Sequence, residues 1–88
     1  DLNEVKGAFY IRICVKDKPG VLASIAAKFA EHGISIELLE QTKHKQPNKA
    51  WLILTTHETD EQAIKDLCAN LGKTSAVLED PFILRIFK

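Results

Sequence analysis

Asp17-Lys18-Pro19-Gly20-Val21-Leu22, followed twelve residues after Leu22 by Ile34-Ser35-Ile36, is the stretch that decides how this chain folds. Upstream of it, Phe9, Ile11, Ile13 and Val15 alternate with Tyr10, Arg12, Cys14 and Lys16. That is the period of a half-buried strand from about Ala8 to Lys16. Downstream, Val21, Leu22, Ile25, Ala26 and Phe29 recur at helical spacing, which predicts a helix from about Pro19 to His32 with Gly33 as its C′ residue. Pro19-Gly20 therefore marks a strand-to-helix turn. Proline fits the first helical position, where its missing N–H costs nothing. Gly20 removes side-chain bulk, so a ligand or another backbone can approach. The N–H groups of Val21 and Leu22 then point outward at the positive end of a helix dipole, a seat for a carboxylate. The turn suits a small anion or an amino acid, and nothing in it does covalent chemistry.

The remaining elements follow in order. Ile34, Ile36 and Leu38 alternate with Ser35, Glu37 and Leu39 in a second strand, about Ile34 to Thr42. Lys43 to Lys49 is polar and contains Pro47, so it reads as a hairpin loop into a third strand, about Ala50 to His57. Thr59 to Gln62 fits a capping box for a helix carrying Ala63, Ile64, Leu67, Cys68 and Leu71 on one face, closed by Gly72. A last strand comprises Ala76 to Leu78 and Phe82 to Phe87, interrupted near Asp80-Pro81, where proline demands an edge or a bulge. The order β-α-β-β-α-β predicts a single α+β domain over residues 1–88. It is the ferredoxin-like sandwich, a four-stranded antiparallel sheet with two helices on one face. The other face is uncovered, yet Trp51, Ile53, Ile83 and Phe87 share the parity opposite to Leu52, Leu54, Phe82, Leu84 and Ile86. Strands apolar on both sides are usually covered on both sides. A homo-oligomer, at least a dimer, is expected, joined at the open face or at a strand edge.

Composition removes several function classes. Lys plus Arg and Asp plus Glu number 12 each, so there is no basic excess for nucleic acid. No apolar run approaches a membrane span and no signal peptide precedes the first strand, so no membrane partner is expected. Cys14 falls in a strand and Cys68 in a helix, and two buried thiols rather than a disulfide suit a reducing cytoplasm. His32, His44 and His57 lack metal-ligand spacing and have no cysteine near them in sequence, so no metal is expected. The chain starts at Asp1 and contains no Met, which reads as a piece of a longer protein.

Strand–Asp17-Lys18-Pro19-Gly20-Val21-Leu22–helix–His32-Gly33-Ile34-Ser35-Ile36-Glu37, in a β-α-β-β-α-β chain, resembles the ACT domain, a small regulatory module that binds amino acids. The resemblance covers Ala8 to the C-terminus. More narrowly, FYIRICVKDKPGVLASIAAKFAEHGISIELLEQ over 9–41, LILTTHETDEQAI over 52–64 and the terminal ILRI over 83–86 are similar to the C-terminal ACT domain of bacterial homoserine dehydrogenases. That resemblance implies a catalytic domain that uses NAD(P) elsewhere in the parent chain; these residues hold no G-x-G-x-x-G and need no cofactor of their own. It also implies a ligand pocket at Asp17, Lys18, Pro19, Gly20, Val21 and Leu22 together with Ile34, Ser35 and Ile36. Where amino-acid-binding relatives often have Asn, Ser35 offers a single hydroxyl and a shorter reach.

Asp17 has two readings: it accepts hydrogen bonds from a ligand ammonium, or it caps the helix two residues on, and one carboxylate can do both. Lys16 and Lys18 read as solvated. At the level of the whole domain, the leading reading is a regulatory amino-acid-binding module, with L-threonine the first effector to test because the resembled dehydrogenases lie on its pathway. The alternative is a purely structural module that holds subunits together. An RNA-recognition domain would need a basic, glycine-interleaved third strand, and Trp51-Leu52-Ile53-Leu54-Thr55 has neither charge nor glycine. A metal chaperone of this topology would need C-x-x-C where this chain has Asp17-Lys18-Pro19-Gly20.

Overall fold

β1, Lys6–Lys16, is the spine of the sheet in this computed structural model, which describes residues 6–87. β3 (Lys49–Thr56) runs antiparallel along one side, from Tyr10 opposite Thr55 to Lys16 opposite Lys49. β5 (Phe82–Ile86) runs antiparallel along the other, from Ala8 opposite Ile86 to Arg12 opposite Phe82. β2 (Ile36–Lys43) joins β3 from outside, with Gln41 opposite Leu52. The two-residue β4 (Thr59–Asp60) pairs with the start of β1. The order β2-β3-β1-β5 leaves β2 and β5 as the long edges, and α1 (Val21–Glu31) and α2 (Glu61–Gly72) complete the ferredoxin-like βαββαβ fold. No described helix is long and apolar enough to cross a membrane.

Strand alternation builds the core. Phe9, Ile11, Ile13 and Val15 of β1 and Ala50, Leu52 and Leu54 of β3 face Ile25 and Phe29 of α1 and Ile64, Leu67 and Leu71 of α2, all buried. Burying an aliphatic or aromatic side chain of this size is worth about 1.5–3 kcal/mol, so the two-period strands and the helical stripes stabilise one another. Thr56 continues the inward row of β3 as its only polar member. Its hydroxyl accepts the Phe9 N–H at 3.1 Å, where the β1 ladder steps from Thr55 opposite Tyr10 to Thr59 opposite Gly7. Two residues of β1 there oppose three, a bulge that leaves one amide in need of a side chain.

Four expectations are corrected. α1 starts at Val21, two residues later than predicted, because Lys18-Pro19-Gly20-Val21 forms a β-turn instead of a helical first turn. Val21 N–H bonds back to Lys18 C=O at 3.3 Å and Gly20 sits at φ 86, ψ −13, the type II geometry with proline before glycine. Second, β2 starts at Ile36 rather than Ile34. Third, Asp60, not Thr59, caps α2 and accepts the Gln62 N–H at 3.4 Å. Fourth, the parity of the last strand is reversed: Ile83 packs against the core, while Phe82 and Leu84 are exposed on the open face. Val77 bridges to Val15 and Phe82 pairs with Arg12, so four residues, Leu78 to Pro81, stand opposite Ile13 and Cys14. The interruption foreseen at Asp80-Pro81 is this bulge; its two extra residues, an even number, leave the alternation in step, so that Val77 before it and Ile83 after it both pack against the core.

The open face is organised around Arg12. Its guanidinium lies 5.5 Å from the Trp51 ring centre and 4.8 Å from that of Phe82. Tyr10 meets Phe82 edge-on at 6.5 Å, and His44 stacks on the far side of this row against Trp51 at 5.0 Å. Leu38 and Leu84 are each more than half exposed nearby.

Candidate functional site: the strand-to-helix turn

The turn after β1 is fixed from three directions. Lys16 N–H bonds Ala76 C=O and Asp17 N–H bonds Asn48 C=O, both at 2.9 Å, and Lys18 N–H returns to Lys16 C=O at 3.1 Å. Asn48 holds a left-handed conformation (φ 67) to present that carbonyl, a backbone region that Asn tolerates better than most residues. Asp17 does not cap α1, since no side chain bonds the start of that helix. Its carboxylate instead accepts the Gln41 side-chain amide at 3.5 Å. Because Val21 N–H is engaged inside the turn, the amides that face outward from the helix start, among the described residues, are those of Leu22 and Ala23. Gly20 has open space around the position of a Cβ.

Two clefts meet at this point. One, of about 250 Å³, is lined by every residue from Val15 to Leu22 together with Gln41 and Leu52. The other, of about 390 Å³, lies under the β2–β3 hairpin and is lined by Asp17, Gln41 to His44 and Gln46 to Ala50. Asp17 and Gln41 belong to both. The first cleft brings a carboxylate, a helix N-terminus and apolar wall from Leu52 and Val21 into one small volume. Such a set can hold the ammonium, carboxylate and side chain of an amino acid, and among the described residues it contains no nucleophile–base pair.

The structure unites six of the nine expected site residues, Asp17 to Leu22, and separates the other three. Ile34 is buried in the core, Ser35 accepts the His57 N–H through its carbonyl, and Ile36 pairs with Thr56. The turn follows Lys16, which pairs with Lys49 at the opposite end of β3. Seven strand steps of about 3.4 Å put roughly 24 Å between the two groups. Within one chain they form no common pocket. Gln41 and Leu52 take their place, a pair that only the register of β2 on β3 reveals.

A second grouping lies just beyond the hairpin. One ligand atom each from Cys14, His44 and Glu79 falls within 4.8 Å of the others. Cys14 is on the open face of β1 but only 2% exposed, because the bulge at Leu78 to Pro81 covers it. Burial first, then the Glu79 carboxylate, raises its thiol above the ordinary range.

Residues 9–70 match the ACT domain. The chain belongs to the ACT domain family. It is 42% identical over 77 residues to homoserine dehydrogenase of Pseudomonas aeruginosa, covering 86% of this chain and 18% of that one. It is 31% identical over 84 residues to homoserine dehydrogenase of Helicobacter pylori, covering 96% of this chain and 20% of the relative. A solved homoserine dehydrogenase from Thiobacillus denitrificans superimposes with a TM-score of 0.81 at 31% identity, over 92% of this chain and 17% of that chain. The chain thus spans about a fifth of the length of these relatives. This ACT domain is homologous to the C-terminal regulatory region of homoserine dehydrogenases.

Proposed function

We propose that this ACT domain is an amino-acid-sensing regulatory module of a homoserine dehydrogenase, responding to an aspartate-pathway amino acid with L-threonine first among the candidates. The observation that carries the reading is the cleft at the turn, which Asp17 and Leu22 line together at the start of α1. A carboxylate on the outward amides of Leu22 and Ala23 gains about 0.3–1 kcal/mol per charge–dipole contact when exposed. Several contacts must act together, and Asp17 supplies one for the ammonium. The module itself catalyses nothing; oxidation and reduction belong to a catalytic domain of the parent that uses NAD(P).

The 24 Å gap bears on oligomerisation. β2 is an edge strand, and β2 runs parallel to β1 because both are antiparallel to β3. Two copies pairing antiparallel along β2 would set Ile34, Ser35 and Ile36 of one chain beside the Gln41–Lys43 end of the other. The Ser35 hydroxyl would then face the partner's turn. We infer that the working unit is at least a dimer and that each amino-acid site is completed across its seam.

Calorimetry with threonine, isoleucine, methionine and lysine tests the ligand, and sedimentation at high micromolar concentration tests the assembly. Binding of threonine by a dimer is expected. In the full-length enzyme, Gly20→Leu should abolish threonine inhibition; normal inhibition in that variant places the site elsewhere. The exposed Leu38, Phe82 and Leu84 favour a second reading, a subunit-association module without a ligand. A dimer that binds none of the four amino acids, in a full-length enzyme insensitive to all of them, selects it.

A further inference from the structure

The geometry points to a binding site for a thiophilic divalent metal of the zinc class, held by Cys14, His44 and Glu79 on the open side of the sheet. The three residues come from three different elements: the end of β1, the β2–β3 hairpin loop and the bulge before β5. Their ligand atoms lie within 4.8 Å of one another. A tetrahedral zinc with ordinary sulfur, nitrogen and oxygen bonds needs those atoms about 3.3–3.6 Å apart. The required contraction is therefore at most about 1.2–1.5 Å, and Glu79, the exposed member of the three, has the freest side chain to supply its share.

Two of the three side chains are already positioned. Leu78 N–H bonds Cys14 C=O at 2.9 Å and Val77 bridges Val15, which seats the bulge over the thiol. The His44 ring is stacked on Trp51, with 26° between the planes, so its nitrogens are aimed by packing and not left to sample solvent. Gln46 N–H donates to His44 Nδ1 at 3.0 Å, so Nδ1 is the unprotonated ring nitrogen and its lone pair is held by the loop's own amide. Metal binding through Nδ1 replaces that hydrogen bond. A thiolate and a carboxylate balance the charge of a divalent ion, and the Cys14 proton leaves to solvent as the metal enters. Sulfur, imidazole and carboxylate together suit zinc better than magnesium or calcium, which prefer oxygen alone. Three protein ligands leave the fourth position to water or to a group from another chain.

The site would have a consequence for the neighbouring cleft. His44 also lines the larger cavity that Asp17 and Gln41 share with the turn. A metal there ties the hairpin loop, the end of β1 and the bulge into one rigid corner.

Cobalt(II) is the probe, added to the 88-residue chain with its thiols reduced. One equivalent should give thiolate-to-cobalt charge-transfer absorption in the near ultraviolet, with the intense visible bands of a four-coordinate ion. Zinc should bleach both. The band should persist in Cys68→Ala and disappear in Cys14→Ser. His44→Ala changes a loop residue and leaves the core intact; it should weaken cobalt binding about ten-fold or more while the circular dichroism stays that of the parent. In the unsubstituted chain the Gln46 amide resonance should shift on zinc addition. No charge-transfer band in the unsubstituted chain, a band surviving Cys14→Ser, or unchanged affinity in His44→Ala each overturns the assignment. None of these readings depends on an amino-acid effector.

Discussion

The Gln41 side-chain amide donates to Asp17 Oδ1 across 3.5 Å, and both residues line each of the two clefts beside the turn. The contact is long and exposed, so it holds the fold weakly. Asp17→Asn should change stability by less than about 0.5 kcal/mol, the usual range for surface substitutions. Removing the charge that faces a ligand ammonium should nevertheless weaken threonine binding about ten-fold, or about 1.4 kcal/mol. Urea melts and calorimetry on the same samples separate the two effects. Equal threonine affinity in Asp17→Asn and the parent would sink the role given to Asp17.

Gly20 sets a different kind of constraint. Nothing lies within 4 Å of an added Cβ, so space is not the difficulty; φ of +86° is. Gly20→Ala should cost about 1–2 kcal/mol from the left-handed conformation alone, and Gly20→Asn less, because a short polar side chain visits that region routinely. The expected order of denaturant midpoints is Gly above Asn above Ala. Ala equal to Gly would show that the turn changes type when substituted.

Thr56 is buried for the sake of one amide. Thr56→Val keeps the shape but leaves the buried Phe9 N–H without its acceptor, which should cost about 1–3 kcal/mol. Thr56→Ser keeps the hydroxyl and should lose only about 0.8 kcal/mol for the missing methyl. Chemical denaturation that ranks Ser below Val would mean that packing, and not the hydrogen bond, holds this position.

Cys68 links stability to alkaline pH. Burial raises its thiol from 9.0 to about 11. The folded state therefore binds this proton more tightly than the unfolded chain does. The resulting stability is fully present below pH 9.0 and is lost as the pH rises through about 11. Thermal melts across that window should fall more steeply for the parent than for Cys68→Ala, which has no such proton to lose. Parallel curves would contradict the shift.

Much of the fold is legible in the chain because β1 and both helices carry clean periods and the turn residues sit between them. Phe9, Ile11, Ile13 and Val15 announce β1 without help from tertiary structure. The last strand misleads for a local reason. Phe82, Leu84 and Ile86 are as apolar as Ile83, so composition does not tell which parity faces the core; only the pairing of Ile83 opposite the buried Ile11 does. The site divides in the same way. Asp17 to Leu22 are contiguous, so their shared cleft follows from the turn itself. Gln41 enters that cleft only through its register opposite Leu52. Cys14, His44 and Glu79 stand 30 and 35 residues apart along the chain (14 to 44, 44 to 79), and only the fold closes those intervals.

The placement of β1 between β3 and β5 has a consequence for how the domain comes into being. The first strand made is the last to be completed, because its two long neighbours begin at Lys49 and Phe82. Only the β2–β3 hairpin can close from nearby residues. Pairings of such long separation form slowly, since chain entropy is lost before contacts reward it. During synthesis the apolar side of β1 must therefore wait until Phe82 to Ile86 have been made. A chain cut before Phe82 keeps β1 as an open edge, and such an edge recruits other unfinished chains in preference to settling as a smaller domain.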